Sequence, residues 1–375
     1  MKKSLIALFV ALSLGPVLAG PMEDAKAAHG RGDYAAELEI TRPAAGAGEP
    51  WAQWFVGDSY RLGRGVPQDA AEAVKWYQLA ADRGNLGAQS NLGFMYSTGQ
   101  GVAQDFSQAA KWFAQAADHG QAFAQYNLGA LHHKGRGLPQ NYAAAAKWYR
   151  LAGAQGLVFA QLDLGNLYQS GQGAVLNQEE ALKWFRLAAA QGNAQAQHKL
   201  AVAYHHGHGV APDAVQALTW YRLAGAQGDV ASQLNAGLLV YEGRGVGQDY
   251  ASALVWLRQA AAQNSAAAQN VLGLMSYKGQ GMPQDYEAAL KWFRLSAAQG
   301  DAGAQANLGA MYYNGHGVAE NFAKAYMWFN LGATKGQAST AKSRNLAAAQ
   351  MNAVEIADAQ KMARDCLARA FKGCN

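Results

Sequence analysis

The stretch AQYNLGALHHKGRGLPQNYAAAAKWYRLAGAQG, Ala124 to Gly156, reads as two amphipathic helices joined by a tight glycine loop. Ala124, Leu128 and Leu131 fall at helical spacing and mark the apolar side of the first helix. Gly135 ends that helix, because glycine enters the left-handed conformation at little cost. The Gly135-x-Gly137 loop leads through Pro139 to Asn141, a residue type whose side chain accepts the free amides that open a helix. Ala145, Trp148, Tyr149 and Ala152 form the stripe of the second helix, with alanine admitting close backbones and the aromatic pair expected to fill the space. Gly156 closes the unit.

This unit recurs along the chain. Trp76, Trp112, Trp148, Trp184, Trp220, Trp256, Trp292 and Trp328 follow at a constant step, and the glycine pairs from Gly63/Gly65 to Gly315/Gly317 keep it. The helix-capping position is Asp or Asn in every copy, from Asp69 to Asn321, and the closing glycine is replaced only by Asn264, itself tolerant of the left-handed conformation. Such self-similarity is the mark of a stacked repeat. The glycines, the tryptophans and the series Gln89, Gln125, Gln161, Gln197, Gln233, Gln269 and Gln305 are constant and belong to the shared framework. Residues that change from copy to copy are the ones free to serve a ligand.

The consensus A-Q-x-x-L-G-x-x-Y-x-x-G-x-G-V-x-x-D-x-x-x-A-x-x-W-Y-x-x-A-A-x-x-G resembles the Sel-one-like repeat, a relative of the tetratricopeptide repeat. The resemblance implies an all-α solenoid: antiparallel helix pairs stacked into a right-handed superhelix over residues 50–337. It also implies an adaptor or scaffold, often in exported bacterial proteins. Many secreted relatives carry a disulfide within each repeat, and this chain lacks those cysteines. By analogy with tetratricopeptide geometry, the second, fifth, ninth, twelfth and thirteenth residues of each first helix face a concave groove. This gives as candidate binding residues Trp51, Trp54, Phe123, Tyr126, His133, His198, His205, Leu234, Tyr241, Tyr277 and Tyr313.

The ends read as caps. Asp33 and Ile40 stand where a capping Asp and a Trp would fall, so residues 22–49 form a degenerate repeat, with Pro43 expected to kink its second helix. Residues 338–375 leave the repeat phase but keep helical patterning, with Ile356, Ala359, Ala363, Cys366, Leu367 and Ala370 on one face, suited to capping the last repeat. Cys366 and Cys374 are a candidate disulfide if the tail folds back near Gly373; on one straight helix they would lie about 12 Å apart, too far to bridge. At the other end Lys2-Lys3, the apolar run Leu5–Leu14 and Val17-Leu18-Ala19 form a secretory signal over 1–19, cleaved after Ala19. The mature chain is then expected in the periplasm or outside the cell, without stable membrane insertion.

Loss of residues 1–19 removes two lysines and lowers the net charge from +5 to +3, which, with the basic residues scattered singly, excludes a nucleic-acid binder. No nucleophile–base set, phosphate loop or metal-protease motif occurs, and each G-x-G lies between helices rather than after a strand. His205-His206-Gly207-His208 brings three imidazoles close, yet similar loop-end histidines stand at His132, His133 and His316, with no Cys or acid fixed beside them. No enzyme activity, metal or cofactor is expected. The expected partner is a protein or peptide segment in the groove; an envelope glycan stacked on the aromatics is the alternative, and a secreted hydrolase a second one.

Overall fold

The computed structural model describes residues 20–173, 175–333, 338–371 and 373–374. The expected secretory signal at 1–19 lies outside the described residues. These residues form twenty α-helices and no strand, in repeated pairs. The chain divides into two compact units, with the division between Leu176 and Asn177.

The first unit ends at Leu176 and holds α1 (Pro21–Gly30), α2 (Tyr34–Gly46), α3 (Pro50–Leu62), α4 (Ala70–Ala81), α5 (Leu86–Thr98), α6 (Phe106–Asp118), α7 (Ala122–Lys134), α8 (Tyr142–Ala154) and α9 (Val158–Ser170). The second begins at Asn177 and holds α10 (Gln178–Ala190), α11 (Ala194–His206), α12 (Ala214–Ala226), α13 (Val230–Glu242), α14 (Tyr250–Ala262), α15 (Ala266–Lys278), α16 (Tyr286–Ala297), α17 (Ala302–Asn314), α18 (Phe322–Ala333), α19 (Ala338–Ala348) and α20 (Ala353–Ala368).

Within each unit a first helix packs on the second helix of its own repeat and on that of the repeat before. The capping residues do what their chemistry suggests: Asp69, Asp105, Asn141, Asn177, Asp213, Asp249, Asp285 and Asn321 each accept an amide of the helix they open. The two loop glycines have different duties. Gly99 takes φ +75° to end α5, whereas a Cβ on Gly101 would stand 2.2 Å from the Ala70 carbonyl oxygen. The loop therefore crosses the start of the preceding second helix at backbone contact, and only glycine fits.

The tryptophan of each repeat is not the core residue that its constancy implies. Trp76, Trp112, Trp148, Trp184, Trp220, Trp256 and Trp292 are only partly buried, and Trp328 alone among the eight is fully enclosed. The residue after each Trp fills the core instead: Tyr77, Phe113, Tyr149, Phe185, Tyr221, Leu257, Phe293 and Phe329 are all nearly inaccessible. In six of these positions the ring or branch needs a flat floor. Cβ atoms added at Gly57, Gly93, Gly129, Gly237, Gly273 and Gly309 would come within 2.5–2.8 Å of it.

The constant glutamines form a ladder. Gln53, Gln89, Gln125, Gln161, Gln197, Gln233, Gln269 and Gln305 are buried and donate to a carbonyl near the end of the preceding second helix, as in Gln125 Nε2 to Ala117 O at 3.2 Å. A second glutamine, thirty residues on, donates to the side-chain oxygen of Gln125, Gln197, Gln233 and Gln269. At Gln53 and Gln89 the residue thirty further is Arg83 or His119, and the Oε1 atoms of both glutamines lack a partner. A buried acceptor left open in this way carries a desolvation cost.

The ends differ from expectation in detail. α2 continues through Pro43 to Gly46, opened by Asp33. α20 stops at Ala368, and the chain reverses at Ala370 (φ +49°) and Phe371 (φ +66°) before Gly373 is reached. Ala370 thus leaves the helical face, and Leu367 is 54 % exposed; Ala359, Ala363 and Cys366 are the residues that α20 buries. The reversal brings Cys366 and Cys374 to a Cα separation of 5.4 Å, where they are joined by a disulfide. Among the described residues no helix is long and apolar enough to cross a membrane.

Candidate functional site

The structure sorts the candidate residues by their place on the first helix. The fifth residue meets the next repeat. Tyr126 donates its hydroxyl to Asp163 Oδ2 at 3.2 Å, His198 Nδ1 lies 2.8 Å from Ser232 Oγ and 3.3 Å from Asp229, and Trp54 lies against Gly87. Leu234 is half-buried beside the core of the second unit. These side chains therefore occupy the seam between successive first helices, because a fifth residue sits on the flank of α3, α7 or α11 rather than on its open crest.

The twelfth residue serves the core tyrosine of its own repeat. Arg61 donates to Tyr77 Oη at 3.0 Å, and His133 and His205 pair with the hydroxyls of Tyr149 and Tyr221, both at 3.3 Å. Burial raises the pKa of all three tyrosines, that of Tyr221 to about 12, so the hydroxyls stay neutral and need partners. Where the core residue is Leu257, Phe293 or Phe329, the twelfth residue is released. Tyr241 donates to Gln280 at 3.0 Å, Tyr277 pairs with His316 at 2.9 Å, and Tyr313 lies edge-on to Phe322. Tyr277 and Tyr313 line small cavities of about 240 and 120 Å³ on the first-helix side.

The second residue is the open one. Trp51 is half-buried on Phe55, but Phe123 is 42 % exposed, and Phe159, at the same place one repeat later, is 59 % exposed. Phe94 and Phe123 lie 6.5 Å apart, and Tyr126 and Phe159 6.3 Å apart, so α5, α7 and α9 present one aromatic strip. Asp163 stands beside it. Burial raises its pKa, and the Tyr126 hydrogen bond with the nearby His133 and Lys134 charges pulls the other way. Burial, with Asp163 adding to it, pushes the Tyr126 phenol up to about 12. Phe159 and Asp163 were legible only by reading the fourth repeat in phase with the third.

The His205, His206 and His208 rings stack in series, the first two 4.5 Å apart. No group of three His, Cys, Asp or Glu residues among the described ones is placed to hold a metal ion.

An array of helix pairs with constant seams and one open aromatic strip is the form of a scaffold. The Sel1 repeat model matches residues 52–85, 87–121, 122–157, 158–193, 194–229, 230–265, 266–301 and 302–337, and the chain belongs to the Sel1 repeat family. Repeats of this family generally serve as scaffolds for protein–protein interaction. The chain is similar to c5321, a protective antigen of uropathogenic Escherichia coli with the same repeat fold, at 31 % identity over 94 % of this chain and 85 % of that one, with a TM-score of 0.60. It is also similar to a Sel1 repeat protein of Oxalobacter formigenes, at 29 % identity over 64 % and 97 % of the two chains, with a TM-score of 0.57. No curated protein matches it.

Proposed function

We propose that this protein is an exported adaptor without catalytic activity, holding a segment of a partner protein across the first helices of its second to fourth repeats. The observation that carries this reading is the Phe94–Phe123–Tyr126–Phe159 strip beside the half-buried Asp163. Phe123 and Phe159, large apolar side chains left open on successive repeats above the half-buried Phe94 and Tyr126, mark a contact surface rather than a core. Aromatic anchors dominate such contacts, each contributing about 2 kcal/mol or more. Export rests on the Lys2-Lys3, Leu5–Leu14 and Ala19 pattern. The description of the 31 %-identical relative as a protective antigen is in keeping with it.

The test uses Phe123→Ala combined with Phe159→Ala. Both side chains are exposed, so melting temperature and helical content should hold while cross-linked capture of the native partner falls about tenfold or more. Unchanged capture by the folded double variant rejects the strip as the binding surface. Loss of cell-wall glycan retention with protein capture intact would make the occupant a sugar.

A further inference from the structure

A second feature lies on the other helices. Between α6 and α8, the second helices of repeats two and three, is a cavity of about 430 Å³ walled by Ala110, Ala114, Leu128, Leu138 and Trp148. Its size is that of a small-ligand site. His132, Lys111 and Asp118 also line it.

The other repeats show how this volume is usually filled. At the place of His132 they carry Tyr60, Tyr96, Tyr168, Tyr204 and Tyr312. Tyr60 packs in one cluster with Val66 and Trp76, and Tyr96 in another with Val102 and Trp112, the equivalents of Leu138 and Trp148. An arginine eighteen residues earlier reaches the tyrosine hydroxyl: Arg150 to Tyr168 at 2.6 Å, Arg186 to Tyr204 at 3.3 Å and Arg294 to Tyr312 at 3.0 Å. Where the tyrosine is absent at Val240 and Ser276, Arg222 and Arg258 remain, and Met282 lies against Ser276. At the junction of repeats two and three both parts are missing. The arginine position is Ala114 and the tyrosine position His132.

What stands in their place is chemically specific. Lys111 and Asp118 lie three residues before and four after Ala114, on the same side of α6. An ammonium only donates and a carboxylate only accepts, so a cationic or anionic group is welcomed by one and repelled by the other. A phenolic hydroxyl, which donates and accepts, suits both. His132 lies beneath them with its Nδ1 buried and without a hydrogen-bond partner, and burial lowers its pKa against the opposing pull of the Pro139 backbone.

We propose that this cavity receives a tyrosyl side chain from a partner protein, its ring between Trp148 and Leu138 and its hydroxyl at the Lys111–Asp118 rim. The site is separate from the first-helix strip and does not depend on it. It completes, with a residue from outside, a packing arrangement that five other repeats complete with a tyrosine of their own.

Titration of the full chain with p-cresol, N-acetyltyrosinamide and N-acetylphenylalaninamide, followed by ligand-observed NMR, tests it. Saturable binding of p-cresol and N-acetyltyrosinamide is expected, with the phenylalanine analogue weaker by about tenfold. Ala114→Arg with His132→Tyr restores the usual pair and should abolish binding while leaving the helical content unchanged. If that variant does not fold, Ala114→Gln, the residue type at Gln78, gives the same comparison. No saturable binding, or equal binding by a folded plugged variant, overturns the site. Equal binding of the phenylalanine analogue overturns the role of the hydroxyl, and p-cresol binding without N-acetyltyrosinamide binding rejects a protein side chain in favour of a free phenol.

Discussion

Trp148 and Trp328 occupy the same place in the third and eighth repeats and live in opposite surroundings. Trp148 is half-buried and forms one wall of the cavity beside Leu138. Trp328 is 2 % exposed, in a cluster that includes Ala347 of α19 and Ala359, Ala363 and Cys366 of α20. The repeat does not itself bury its tryptophan. It offers the ring to whatever comes next, and the C-terminal helices, unlike the following repeat, accept it completely. A constant residue can thus be framework at one end of an array and binding wall in the middle.

The sharpest way to break this contrast is to remove both rings in turn. Trp328→Ala empties an enclosed site and should cost about 3–5 kcal/mol, whereas Trp148→Ala should cost less than about 2 kcal/mol. Chemical denaturation measures both; equal losses would mean that the two environments are energetically alike. A smaller effect concerns the lid over Trp328. Reduction of Cys366–Cys374, or Cys374→Ser, frees a short loop and should lower stability by about 2–3 kcal/mol. Hydrogen exchange should then rise in α20 first and leave α7 and α8 unaffected; uniform exchange would show that the cap is not a separate layer.

The smallest effect concerns the open side of the first unit. The pKa of Asp163 is raised by burial, so the folded chain binds more protons than the unfolded one between the ordinary carboxylate value and the raised one. Stability contributed by this group is therefore lost as pH rises through that window. Asp163→Asn should raise the thermal midpoint slightly at pH 7, by the equivalent of about 1 kcal/mol or less, and leave it unchanged below the window. A lower midpoint at pH 7 would mean that the ionised carboxylate is stabilising where it stands.

The repeat, its caps and its helix pairs were legible because each rests on local chemistry: a glycine stop, an Asp or Asn cap, a stripe at helical spacing. The assignment of the core aromatic was not. Trp148 and Tyr149 differ by about 100° around the helix, and both adjoin the same stripe. The choice between them is made by Gly129 on the facing helix, whose bare backbone admits the Tyr149 ring. Much the same holds for the candidate site. Tyr126, His133, His198 and His205 vary between repeats, which reads as freedom to bind, yet Asp163, Tyr149, Ser232 and Tyr221 vary with them. Variation in one repeat here often answers variation in another, and a single helix read alone hides that pairing.

The glutamine ladder acts as a ruler. Gln125 is fixed to a carbonyl eight residues behind it and receives an amide from Gln155, thirty residues ahead. One extra residue between those partners would pull donor from acceptor inside a buried seam, whereas a whole added repeat would simply bring its own rung. The array can therefore grow or shrink by complete copies but cannot be stretched, and its length is counted in units rather than in residues.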